Sequence, residues 1–277
     1  MTLKNPYLTS AIALAQNGLS TAANVNSLIQ KKDYAIWEKR LKKEKNINSY
    51  LLNNKNYNLL NLSVVVGLHT AESEPNEIAA HAKKTLEALD GYLSIFPELL
   101  RDKSFIDKLK NLEGMSFYST LCELSLAKYF KEKGFLVGFE TPFSQTGSLP
   151  KKNVDLSITD ADGNIFHFEV YMPANATDIE GFFSPTDEDH HFEYKVMKKL
   201  EDKFGKNGIA GISGKIFLAI NVSFYDELRI RGILSNGNLD LFAKAKKHLP
   251  DGVDGALFFT DEFVNTQGAN LNVLIEK

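Results

Sequence analysis

The chain has 277 residues, of which 43% are hydrophobic and 24% charged, a composition that excludes a disordered or fibrous protein and fits an ordinary globular one. At about 150 residues per domain, the length allows one large domain or two modest ones. The net charge of -3 gives no global attraction to nucleic acid, so binding of that kind has to come from a local patch.

The first stretch, MTLKNPYLTSAIALAQNGLS, has a short apolar run broken by Gln16 and Asn17, unlike a secretory signal. No apolar run approaches the ~20 residues needed to span a bilayer, so no membrane partner is expected. The first third reads as helical and polar. Lys31 to Lys45, KKDYAIWEKRLKKEK, has seven basic residues against three acidic ones, with Trp37 and Leu41 one helical turn apart. It reads as a basic amphipathic helix. Either Ile36, Trp37 and Leu41 pack on the core and the lysines are solvated, or the basic face contacts a phosphate backbone. Glu77 to Leu100 repeats helical spacing through Ala80, Leu86, Leu89 and Leu93. Its Asp90-Gly91 pair marks a weak point or a division of the helix. The pattern changes in RDKSFIDKLKNL, residues 101–112, which places a domain boundary there.

SFYSTLCELSLAKYFKEKG is a helix by pattern, with Ser116 available to cap its start and Gly134 to stop it. Glu123, Ala127 and Phe130 share one face of it. The lone Cys122 reads as a small buried hydrophobe and fits a reducing, cytoplasmic compartment. FLVGFETPF then suggests a strand. In VDLSIT, Val154, Leu156 and Ile158 face one way and Asp155, Ser157 and Thr159 the other. DADG makes a turn, with Gly163 at a position that needs a positive φ. In IFHFEVYM, Ile165, His167, Glu169 and Tyr171 share one side and Phe166, Phe168, Val170 and Met172 the other. A hairpin of these strands brings Asp155 and Glu169 to one face. There they either sit solvated or converge on a divalent cation such as magnesium, which prefers oxygen ligands and bridges carboxylates to phosphate.

The helical Glu123, Asp155 on the second strand and Glu-Val-Tyr at 169–171 resemble the core of the PD-(D/E)XK nuclease superfamily, whose fold is called restriction-endonuclease-like. The resemblance covers about Ser116 to Phe224. It implies a mixed sheet flanked by helices over residues 111–277, preceded by a mainly helical region over 1–110. It further implies metal-dependent hydrolysis of DNA or RNA, with Mg2+ or Mn2+ held by Asp155, Glu169 and the Val170 carbonyl and supported by Glu123.

Two departures stand out. Val154 occupies the place of the proline, a common variation. Tyr171 occupies the place of the lysine that would position the attacking water; tyrosine donates a hydrogen bond but carries no positive charge near neutral pH. A relocated ammonium can come from the next helix, HFEYKVMKKLEDKFGKNG, where Phe192, Val196, Leu200 and Phe204 form a core stripe flanked by Lys195 and Lys199. The alternative is a catalytically inactive module of the same fold that binds nucleic acid, a protein partner or a second copy. A third reading is a helical interaction adaptor with an incidental acidic hairpin. His167 reads as a sheet histidine with a local hydrogen bond. His190-His191 lacks zinc spacing, and Asp187, Glu188 and Asp189 read as a helix start.

After that helix, GKIFLAINVSF reads as a buried strand, LDLFAKAKKHLP as a basic helix, and GALFFTD and LNVLIEK as further strands. The alternation implies an α/β sheet. No phosphate loop, dinucleotide fingerprint or nucleophile elbow is present in the sequence.

Overall fold

In the computed structural model, residues 6–46, 50–51, 58–70, 77–143, 152–172, 212–221, 223, 249, 252–261 and 270–276 are described. The chain separates into two compact units, Met1–Leu124 and Ser125–Lys277, and the division falls inside a helix. Among the described residues no helix is long and apolar enough to cross a membrane.

The described part of the first unit is helical, as the sequence led us to expect: α1 Pro6–Leu19, α2 Ala23–Leu28, α3 Lys31–Leu41, α4 Leu59–His69, α5 Glu77–Ile95, α6 Lys103–Asn111 and the start of α7 Met115–Glu132. α4, LLNLSVVVGLH, is buried at every residue from Leu59 to Gly67, which explains why it carries no amphipathic stripe. Asn58 and Ser63 bond locally, while Asn61 Nδ2 donates to the Tyr50 carbonyl at 3.1 Å. Asn58 Oδ1 caps the helix by accepting from Asn61 N at 3.0 Å, and the Ser63 hydroxyl donates to Leu59 O at 2.6 Å. α1 approaches α4 backbone to backbone, because Gly18 faces Ser63 and Gly67 faces Leu14 with no room for a Cβ on either glycine.

α5 buries Ala79, Ala82, Leu86, Leu89 and Leu93, while Ala80 is exposed and lies off the expected stripe. The helix runs unbroken through Asp90-Gly91. Gly91 faces open space, and Asp90 is held by α2: its carboxylate accepts from Val25 N at 3.0 Å and from Asn24 Nδ2 at 3.2 Å. The residue before α2, Ala22, has no side-chain acceptor, so Asp90 supplies the cap from another helix. On α3, Trp37 and Leu41 are buried as expected, whereas Ile36 is 53% exposed and does not join the core. Residues 103–111, where the changing pattern suggested a boundary, form α6, capped by Asp102 accepting from Ser104 N and Phe105 N.

α7 begins at Met115, so Ser116 lies within its first turn and does not cap it. Its end follows the sequence reading. Gly134 has φ 89°, Phe135 N donates to Phe130 O and Gly134 N to Lys131 O, and the Phe130 and Phe135 rings meet at 5.6 Å, which together make a Schellman stop.

The described strands of the second unit are β1 Leu136–Phe143, β2 Lys152–Thr159, β3 Ile165–Tyr171, β4 Lys215–Asn221, β5 Gly255–Thr260 and β6 Asn270–Glu276, in one sheet of order β1-β2-β3-β4-β5-β6. β1, β2 and β3 form an antiparallel meander, β3, β4 and β5 are parallel, and β6 returns antiparallel. This is a mixed α/β sheet. Its apolar face carries Val154, Leu156 and Ile158, all buried, and Phe168 stacks between Phe130 of α7 at 5.0 Å and Phe217 of β4 at 5.8 Å.

The β2–β3 turn is closed by Asp160. Its Oδ1 accepts from Asp162 N at 2.9 Å and Asn164 N at 2.8 Å, its Oδ2 accepts from Asn164 Nδ2 at 2.8 Å, and Gly163 takes φ 85°. These donors, the Asn164 side chain first, hold the Asp160 carboxyl below its usual value. A depressed carboxyl stabilises the fold above the unfolded value and loses that contribution as pH falls through the folded one. An NMR titration is expected to place the Asp160 midpoint below that of an exposed aspartate, with the turn loosening only at acid pH. Gly67→Ala is expected to destabilise the first unit by roughly 1–3 kcal/mol or more, read by urea denaturation, because the added methyl meets the Leu14 carbonyl.

Candidate functional site

The β2–β3 ladder pairs Thr159 with Ile165, Ile158 with Phe166, Ser157 with His167 and Leu156 with Phe168. Continuing this register by one residue sets Asp155 opposite Glu169 on the same face. Here the ladder stops and a side chain takes over: Val170 N donates to Asp155 Oδ2 at 2.9 Å. β3 meanwhile stays paired with β4 through Tyr171, with Glu169 beside Leu218 and Tyr171 beside Ile220.

Glu169 is 1% exposed, so the reading of it as a solvated sheet residue is set aside. Asp155 is half-buried. Cross-strand partners hold their Cβ atoms about 4.5–5.5 Å apart, and like charges placed so are destabilising. Apolar Leu218 and Ile220 alongside lower the local dielectric and sharpen that repulsion. The pair is therefore favourable only with compensating positive charge, hydrogen-bond donors or a shared proton.

The other proposed site residues lie as follows. Tyr171 ends β3 and is half-buried. Glu123, in the first unit, is mostly buried, with Lys108 Nζ at 3.6 Å. Lys195 and Lys199, with the stripe from Phe192 to Phe204, His190-His191 and residues 187–189, lie outside the described residues.

The donors are hard oxygens: two carboxylates, with the Val170 carbonyl on the intervening backbone. Among the described residues no group of three or more His, Cys, Asp or Glu is placed to hold a metal ion. Two carboxylates and a carbonyl are oxygen donors of the kind a hard cation such as magnesium takes.

His167 is engaged at both ring nitrogens, with Nε2 2.9 Å from the Ser213 carbonyl and Nδ1 2.7 Å from Ser157 Oγ. A carbonyl only accepts, so Nε2 carries a proton and donates it to Ser213, while Nδ1 shares a hydrogen bond with the Ser157 hydroxyl. That is the local hydrogen-bonding role the sequence suggested. Beside this pair a pocket of about 450 Å3 opens, lined by Leu136, Gly138, Pro142, Thr159, Ile165 and Ser213 among others.

Two features went unread in the sequence. Glu140 on β1 has φ 48°, a sparsely populated conformation for a side-chain-bearing residue, with Phe139 paired to Leu156 and Thr141 to Val154 on either side. At the C-terminal ends of the parallel strands β4 and β5, Asn221 Nδ2 donates to Asp261 Oδ2 at 2.9 Å, and Asp261 N donates to Ser223 Oγ at 2.7 Å. A polar residue closing an apolar run was the only sequence signal for this pair, and it does not say which residues meet.

No protein-family model matches the chain, nor does any curated protein or solved structure.

Asp155→Ala is expected to speed amide exchange at Val170 and to cost about 1–3 kcal/mol, because it strips a partly buried N–H of its acceptor. Asp155→Asn keeps an acceptor oxygen and is expected to cost less. Exchange at Val170 in the two variants, followed by NMR, checks both.

Proposed function

We propose that the second unit is a metal-dependent phosphodiesterase acting on DNA or RNA, with the restriction-endonuclease-like fold. The observation that carries this reading is the buried Glu169 carboxylate opposite Asp155, at the point where the β2–β3 ladder ends. The element order supports it: a helix, three antiparallel strands, then a strand parallel to the third.

In this mechanism Asp155 offers the oxygen not bonded to Val170 N, Glu169 offers a carboxylate oxygen and Val170 its carbonyl. A Mg2+ or Mn2+ ion, when bound, orients and acidifies a water and offsets charge on the phosphate. The Tyr171 hydroxyl donates to the water or to a non-bridging phosphate oxygen. Lys195 or Lys199 supplies the positive charge that Tyr171 lacks.

Tyr171 also favours a second reading, in which the unit has kept the fold and lost cleavage, and binds nucleic acid, a protein partner or a second copy. Metal binding by calorimetry on the full chain, followed by incubation with DNA and RNA substrates, separates the two. The first reading expects Mn2+ binding that Asp155→Asn abolishes, and metal-dependent cleavage that Glu169→Gln lowers by about 10²-fold or more. Tyr171→Phe should lower cleavage by about 2–10-fold, the worth of one neutral hydrogen bond, and Tyr171→Lys should raise it. Cleavage that survives alanine at both Lys195 and Lys199 sinks the relocated ammonium. Metal binding without cleavage of any substrate supports the silent module.

A further inference from the structure

The basic helix singled out in the sequence belongs to the first unit, and the acid site makes no use of it. At about 100° per residue, Asp33, Trp37 and Leu41 form one stripe of α3, and all three are buried. Lys31, Lys32 and Lys39 lie on the opposite side and are exposed. Lys42 and Lys43 extend that side, because the turn continues through Lys42 N to Glu38 O and Lys43 N to Arg40 O. The five ammonium groups fall within an arc of about 120°, with Ala35 exposed among them. From Lys31 to Lys43 the row is about 18 Å long at about 1.5 Å per residue.

We propose that this face of α3 docks the sugar–phosphate backbone of double-stranded nucleic acid without reading base sequence. A duplex presents a phosphate about every 1.7 Å of axis when both strands are counted, so a row of this length spans several of them. Lysine suits the task as a mobile point charge with no planar fork to fix a base edge. Single-strand binding by base stacking is not served here. Trp37 is 2% exposed, so its ring is not offered to a base, and Tyr34 is half-buried with its ring edge-on to Trp37 at 5.5 Å. An anionic membrane is served no better, because an interfacial helix inserts an apolar face and the apolar stripe of α3 is already buried in its own unit.

The nearby acids do little to cancel the row. Glu38 sits at its edge, 2.8 Å from Lys42 in an exposed pair, which is weak. Arg40 is turned away, 2.6 Å from Glu113. The inference needs no cation and neither Asp155 nor Glu169, so it stands or falls apart from the cleavage reading.

The test measures binding of the full chain to a mixed-sequence DNA duplex in EDTA across a salt series. Four to five phosphate contacts give a log–log slope of about -4. The triple variant K32A/K39A/K43A is expected to reduce that slope by about 3 and to weaken binding at low salt at least tenfold. Alanine is the best helix former, so α3 persists, as circular dichroism checks. K83A/K103A/K131A, with the same change in net charge, is expected to bind as the parent does. The proposal is overturned if K32A/K39A/K43A binds like the parent, if both triples weaken alike, or if phosphatidylserine vesicles are bound while the duplex is not.

Discussion

Where the backbone ladder between β2 and β3 stops, a carboxylate takes over its bonding. Asp155 accepts the Val170 amide, so the two strands stay joined at one point while their main chains cease to pair. Glu169 is consequently placed across from Asp155 on the sheet face and almost fully out of water. The residue that ties the strands is also one of the two carboxylates of the candidate site. A substitution there touches architecture and chemistry together, which is why an isosteric amide is informative where alanine is not.

Two sets of buried polar groups in this sheet are paired near its strand ends. Toward the hairpin, His167 is held at both ring nitrogens between Ser157 and the Ser213 carbonyl. At the C-terminal ends of β4 and β5, Asn221 and Asp261 bond each other. Each arrangement meets the rule that a buried polar atom needs a partner. Asp155 and Glu169 differ because their register juxtaposes like charges, so their arrangement calls for something beyond mutual hydrogen bonding.

The helical unit follows a different physical logic. Its centre is α4, buried along Leu59–Gly67, and glycine allows α1 to approach it backbone to backbone. Around that centre, α3 turns Trp37 and Leu41 inward and lysines outward. Sidedness of this kind leaves one helix free to serve both the core and the surface.

Much of the secondary structure was legible because it rests on local rules. Alternation gave the faces of β2 and β3, the αL requirement gave Gly134 and Gly163 their places, and a carboxylate on each of two adjacent strands marked the candidate site. Errors came where a neighbour outside the window decides. Ala80 and Ala79 are chemically alike, so only packing chose which is buried. Ile36 is apolar yet exposed, because the α3 stripe is centred on Trp37. Asp90 sits safely within a helix because another helix needs its carboxylate. By itself the sequence determined the strands, the hairpin and the side of it on which the acids lie, since period-two alternation and turn chemistry are short-range. Only the tertiary structure decided that β3 is covered on both faces, that Asp155 replaces a ladder bond and that Glu169 is buried, because these depend on partners distant along the chain.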